Sequence, residues 1–212
     1  MRLRRGLVRL CVLLALAAVA GVAVWVTSAA QSASYETICW EAEDYTKISA
    51  PLLVGPRSGQ PDDVAPTKAG PSGGKFVRSD MKCENDSGAK VVYKVRVGGG
   101  TYKLWGRRYW PSPPDKPGFG GCWNSFFVNV DGKRVNLFGE DGTYDTWMWT
   151  SLKTPAPIRL TPGVHVIEFE HREHGAILDQ VLLTTRATGR HAYVPGGERL
   201  PVKVTPGAVL KQ

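Results

Sequence analysis

The chain has 212 residues and a formal charge of +8, from 27 basic and 19 acidic side chains. Four of the basic ones, Arg2, Arg4, Arg5 and Arg9, stand at the front. Beyond residue 30 the excess is +4 and scattered, which excludes a nucleic-acid surface. The length allows one domain with additions, and the absence of any Cys-x-x-Cys pair argues against a structural zinc site.

Residues 10–35 carry no charge, and Leu10–Val26 is apolar throughout. Arginines ahead of such a run mark an export signal. Residues 1–30 are therefore read as either a cleaved signal peptide, with Ser28-Ala29-Ala30 as the cleavage site, or an uncleaved signal-anchor helix at the short limit for a membrane span. Either way the remainder is extracytoplasmic, secreted or held to the membrane by this segment alone. Export permits disulfides. Cys83 and Cys122 lie in loop-like sequence and are expected to pair, leaving Cys39 buried and free.

The stretch Cys39–Tyr45 reads as the opening strand. Alternation puts Trp40 and Ala42 on one face and Glu41 and Glu43 on the other. Short strands follow. Lys75–Ser79 comes after Gly73-Gly74, and Val91–Val97 alternates as a half-buried strand. After Gly98-Gly99-Gly100, Thr101–Tyr109 returns as a hairpin partner, with Tyr102 and Leu104 opposite Trp105 and Arg107. Residues 110–123 hold four prolines and three glycines and are predicted to be a long surface loop. Ser125–Val130 turns at Asp131-Gly132 into Lys133–Phe138. Tyr144–Leu152, Pro157–Leu160, His165–His171 and Ala176–Thr185 complete the set. No amphipathic helix follows the signal. The fold class is all-β, a two-sheet β-sandwich over 36–187, with a tail over 188–212 that is either a linker or adds an edge strand near Val202–Val204.

In the closing strand, alternation sets Asp179 among Ile177, Val181 and Leu183, where a carboxylate is costly unless paired or metal-bound. One hard cation shared by Glu41, Glu43 and Asp179 satisfies all three; salt bridging to Lys or Arg is the plainer alternative.

An opening Glu-Ala-Glu, a later Gly-Gly and Gly-x-Tyr-x-Leu followed by Arg occur in order. A Val-Asp-Gly turn, a Trp-containing strand, Leu-x-x-Gly-x-His and a closing Leu-Asp strand come after them. This succession resembles the carbohydrate-binding modules of families 6 and 35, within the galactose-binding-like jelly rolls, over residues 36–185. The resemblance implies a jelly roll and a structural calcium on Glu41, Glu43 and Asp179. It also implies a sugar site at apex loops, with one aromatic ring from residues 144–149. The chain departs from the family pattern in three places. Trp147 and Trp149 are two apart rather than three, Arg108 replaces an aromatic, and Ile177 stands where a polar residue is usual.

Of the two tryptophans, Trp149 is assigned to the core and Trp147 to the ligand. The expected sugar contacts are Trp147, Trp110 and Tyr109 for stacking, with Arg107, Arg108 and Asn124 for polar contacts; Phe119 and Trp123 also sit in or beside the loop. His171 and His174 close a strand end and are read as solvated rather than zinc-binding. No Gly-x-Ser-x-Gly or phosphate loop occurs, and no carboxylate pair marks a glycosidase cleft. The expected function is non-catalytic binding of a polysaccharide or glycan by a monomer. The alternatives are a protein-binding or architectural envelope module and a small polysaccharide-active enzyme.

Overall fold

Period-two alternation runs through β5 (Lys90–Val97), whose Val91, Tyr93, Val95 and Val97 are all buried. The same rule turns Phe126, Val128 and Val130 of β7 (Ser125–Val130) inward, and Ile167 and Phe169 of β11 (Gly163–His171). With β2 (Lys47–Ile48) and β8 (Lys133–Gly139) these form a five-stranded antiparallel sheet in the order β2-β5-β11-β7-β8. The second sheet has seven strands, in the order β10-β6-β12-β4-β3, with β1 beside β12 and β9 beside β6. Its strands are β1 (Thr37–Glu41), β3 (Leu52–Gly55), β4 (Phe76–Ser79), β6 (Gly100–Tyr109), β9 (Trp147–Ser151), β10 (Ile158–Leu160) and β12 (Ile177–Thr184). The expected all-β two-sheet sandwich is the architecture observed; the short β2 and β3 are additional to it.

This computed structural model describes residues 35–56, 70–79, 85–112, 123–154, 157–186 and 200–211. The expected signal segment, Cys83, Cys122, their disulfide and Phe119 lie outside the described residues. Cys39 is buried and free. Residues 35–212 form one compact unit. Among the described residues no helix is long and apolar enough to cross a membrane.

Between the sheets, Phe138 packs edge-on to Phe169 at 5.3 Å, Trp110 lies 6.0 Å from Phe138, and Trp40 lies 5.6 Å from Tyr93. The Tyr93 hydroxyl donates to the Ala42 carbonyl at 2.8 Å, which removes the cost of burying it.

The outer face of the seven-stranded sheet is also apolar over much of its area. Cys39, Trp105, Trp149 and Leu182 form one buried cluster there, and Phe76, Tyr109, Trp147 and Ile177 form another. The C-terminal segment covers the first. Val202 packs on that cluster and exchanges two hydrogen bonds with the Gln180 side chain, at 2.8 and 2.9 Å, while the Trp149 indole donates to the Leu200 carbonyl at 2.8 Å. The chain then crosses the edge of β1, where Thr205 N–H donates to the Cys39 carbonyl at 2.8 Å. It continues onto β5, with a Val209–Val95 bridge and Leu210 N–H donating to the Lys94 carbonyl at 2.8 Å. Ala208 and Val209 enter the core. Residues 200–211 are thus a strap that joins both sheets along one flank.

Candidate functional site

The first and last strands meet. Glu41 of β1 lies opposite Gln180 of β12, and a register shift between Leu178 and Gln180 marks a bulge there. The bulge corrects the expected facing of Asp179. Val181 and Leu183 join Leu178 in the inner core, whereas Asp179 turns outward, where Ser72 and Arg107 meet it.

The link between the acids is Ser72, which the sequence did not single out. Gly73 and Gly74 take φ of 59° and 77°, a turn that residues with a Cβ enter poorly. This turn brings Ser72 N–H to Asp179 Oδ1 at 2.8 Å and the Ser72 hydroxyl to Glu41 Oε1 at 2.7 Å. The Gln180 amide also donates to Glu41 Oε1, at 3.1 Å. Asp179 Oδ2 accepts from Arg107, and both residues are fully buried. Arg107 further donates to the Gly70 carbonyl at 3.1 and 3.2 Å.

Burial pushes Asp179 up to about 7 against the opposing pull of Arg107. Burial, helped by the charges of Glu41 and Asp44, lifts Glu43 to about 7 as well. The Cys39 thiol is pushed up to about 12, chiefly by burial. Glu41 Oε2 and Glu43 Oε2 are buried with no hydrogen-bond partner, an arrangement that carboxylates avoid unless a cation fills the gap. Among the described residues no three His, Cys, Asp or Glu side chains stand as a metal-holding group. The expected three-carboxylate set is corrected accordingly. Glu41 and Glu43 offer open oxygens, and Asp179 has both of its oxygens engaged.

The expected sugar contacts fare differently. Trp147 is 2% exposed, Trp110 0% and Tyr109 5%, while Arg107 and Arg108 are both 0%. None of the five offers a ring face or head group to solvent, so this part of the expected site is corrected. Trp147 lies under the outer face with Tyr109 at 5.3 Å and Arg107 at 4.9 Å. Trp110 lies between the sheets, and Arg108 is held by Asp141, by Thr150 Oγ1 at 3.2 Å and by the Thr143 carbonyl at 2.9 Å. Trp149 is buried, as expected of it.

Asn124, the sixth expected contact, is half-buried immediately before β7, beside polar and aromatic groups. Its neighbour Trp123 is also half-buried and has φ of 75°. A bulky residue in the left-handed region costs roughly 1–2 kcal/mol. The Trp123 indole N–H donates to His174 Nε2, and the two rings meet edge to face at 5.2 Å. His174 Nδ1 then carries the proton and donates to the exposed Asn85 Oδ1 at 3.0 Å. Burial holds His174 below its ordinary pKa, with Glu173 opposing. Asn124 donates from its N–H to Glu173 Oε2 at 2.9 Å and from its amide to the Tyr144 hydroxyl at 2.7 Å. Gly139 passes beneath, at φ 94°, where a Cβ would meet the Asn124 carbonyl oxygen at 2.1 Å. His174, itself tied to Asn85, therefore fixes the Trp123 ring, while Glu173, Tyr144 and Gly139 fix the adjoining Asn124. His171, expected to be solvated, is instead fully buried at the end of β11 and fixed by the Ser87 hydroxyl at 2.8 Å.

No protein-family model and no curated protein matches the sequence. Among solved structures, the chain is similar to a family 35 carbohydrate-binding module from Clostridium thermocellum (TM-score 0.47, 19% identity, covering 70% of this chain and 97% of that one). It is similar to the C-terminal family 6 module of a marine laminarinase from Zobellia galactanivorans (0.48, 14%, covering 71% and 100%). It is also similar to a family 35 module from Paenibacillus barcinonensis (0.47, 17%, covering 68% and 96%). These solved structures come from the same two module families that the sequence motifs resemble.

Proposed function

We propose that this chain is a non-catalytic, extracytoplasmic glycan-binding module that takes its ligand on Trp123. The observation that carries this reading is the indole of Trp123, half-buried just ahead of β7, held in left-handed backbone and fixed by His174. A pyranose lays a C–H face on such a ring, and polar groups around it orient the hydroxyls. Asn85 and Asn124 supply them. The test is a glycan array followed by titration of the hits. Trp123→Ala, which keeps the same left-handed backbone, is expected to weaken binding by about tenfold or more while the chain still unfolds cooperatively.

Binding is expected to depend on pH through His174. Protonating Nε2 breaks its bond from the indole and loosens Trp123. The folded pKa lies below the unfolded value of 6.5, so this contribution to stability is present above that pH and is lost as pH falls through the folded pKa. Glycan affinity measured by calorimetry should therefore stay flat above pH 6.5 and weaken as pH falls through the lowered folded pKa. In His174→Gln the acid-side loss should be absent.

Glu41 and Glu43 are the residues proposed to hold a calcium ion, whose charge would offset their buried oxygens. Saturation at a hundred times Kd adds about 2.7 kcal/mol, or roughly 5–10 °C in Tm for a chain of this size. Thermal unfolding with calcium against chelator should show that shift, and the double change Glu41→Gln with Glu43→Gln should abolish it.

A further inference from the structure

The two flanks of the sandwich are closed differently. On one flank the strap described above bonds to β1 and β5 and sets Ala208 and Val209 between the sheets. On the other flank β8 and β10 end their sheets. One half of that flank is shut by the chain itself, through a Phe138–Leu152 bridge and a Lys153 N–H donated to the Leu137 carbonyl at 2.8 Å. The other half is a groove of about 420 Å³. Val130, Val135, Ile158 and Leu160 form its floor, and Asp131, Lys133 and Arg159 its rim. His165 engages Asp131 at 2.7 Å. Lys133 and Arg159 are exposed, and among the described residues neither is ion-paired.

We propose that this groove takes an extended segment of a partner protein, with small apolar residues spaced by acids. The strap shows that a bare strand edge of this sandwich accepts backbone bonds from a further segment, and the inward Ile158 and Leu160 on either side of the outward Arg159 set the alternation that an added strand would match. Within the described residues, the outer edge of β10 makes no strand pairing, which supplies such an edge. The unpaired Lys133 and Arg159 select acids. They also repel this chain's own N-terminal run, with Arg2, Arg4, Arg5 and Arg9. The proposal stands apart from the glycan reading, since Trp123 contributes nothing to this flank.

The test titrates the ¹⁵N-labelled full-length chain with an acetylated, amidated peptide, Glu-Ala-Asp-Val-Glu-Val, and with its counterpart bearing Lys at the three acidic places. Amide shifts are expected at Lys133–Val135 and Ile158–Leu160 with the acidic peptide alone. Lys133→Glu with Arg159→Glu is expected to weaken binding on the order of tenfold, less at high salt, and the Gln pair by an intermediate amount, at unchanged Tm. Glycan binding should be unaffected in both variants. Equal binding of the two peptides, shifts centred elsewhere, or no shift in these two segments would each overturn the proposal. A glycan that shifted the same amides would overturn it in favour of a second sugar surface.

Discussion

Asp179→Ala is expected to cost about 3–5 kcal/mol of stability, the usual consequence of leaving one partner of a buried ion pair alone. Asp179 and Arg107 are both 0% exposed and face each other directly. Removing the carboxylate takes the opposite charge from a buried guanidinium whose other hydrogen bonds include those to the Gly70 carbonyl. It also takes the acceptor from Ser72 N–H, and so loosens the turn that carries Ser72 to Glu41. At roughly 2–4 °C per kcal/mol, chemical and thermal unfolding should both register the change clearly. Asp179→Asn retains an acceptor for Ser72 and should cost less. A variant in which Arg107 and Asp179 are together replaced by apolar residues of similar volume should recover much of the loss. If Asp179→Ala unfolded at the wild-type midpoint, the buried pair would not be what secures β6 to β12.

Removing residues 200–212 is expected to be the most damaging single truncation at this end of the chain. The strap buries Ala208 and Val209, packs the half-buried Val202 on the outer cluster, and makes hydrogen bonds with Gln180, Trp149, Cys39 and Lys94. Buried aliphatic side chains contribute about 1.5–3 kcal/mol each and each hydrogen bond a net of about 1 kcal/mol. The ordering entropy of the strap offsets part of this. The remaining several kcal/mol compare with the roughly 5–15 kcal/mol that hold a whole domain. The shortened chain also bares Trp105, Trp149 and Leu182 as a contiguous apolar patch, and frees the edge of β1. The expected outcome is a soluble yield lowered severalfold and dye-binding, aggregating material by size-exclusion chromatography. A monomeric truncated chain with an unchanged melting curve would contradict the role given to the strap.

Much of this sandwich was legible in the residues, because alternation reports burial directly. Val91, Tyr93, Val95 and Val97, or Phe126, Val128 and Val130, go inward as their spacing says. Asp131-Gly132 turns where such a pair should, at φ of 50° and 77°. The meeting of Glu41 with the closing strand was also readable, since both strands carry acids in want of partners.

What stayed hidden has physical causes. Alternation assumes an unbroken strand, and the bulge beside Asp179 breaks it, moving that carboxylate from the face of Val181 to the face of Arg107. Spacing placed Trp147 and Trp149 on a common face, but cannot say whether a distant segment covers that face. For Trp149 the cover comes from Leu200 and Val202, some fifty residues on. The two-residue β2 is shorter than any repeat. Trp123 was visible only as one of several aromatics around a loop. Its left-handed backbone, which aims the ring, has no signature in a residue other than glycine, asparagine or aspartate.

The account turns on Trp123 as the sugar platform, and the direct measurement is an NMR titration of the labelled full-length chain with the glycans retained on an array. The Trp123 indole N–H and the side-chain amides of Asn85 and Asn124 should shift together and saturate with one affinity, which Trp123→Ala removes. Saturating shifts confined to other surfaces, with the Trp123 indole unmoved, would contradict it, as would the absence of any retained glycan.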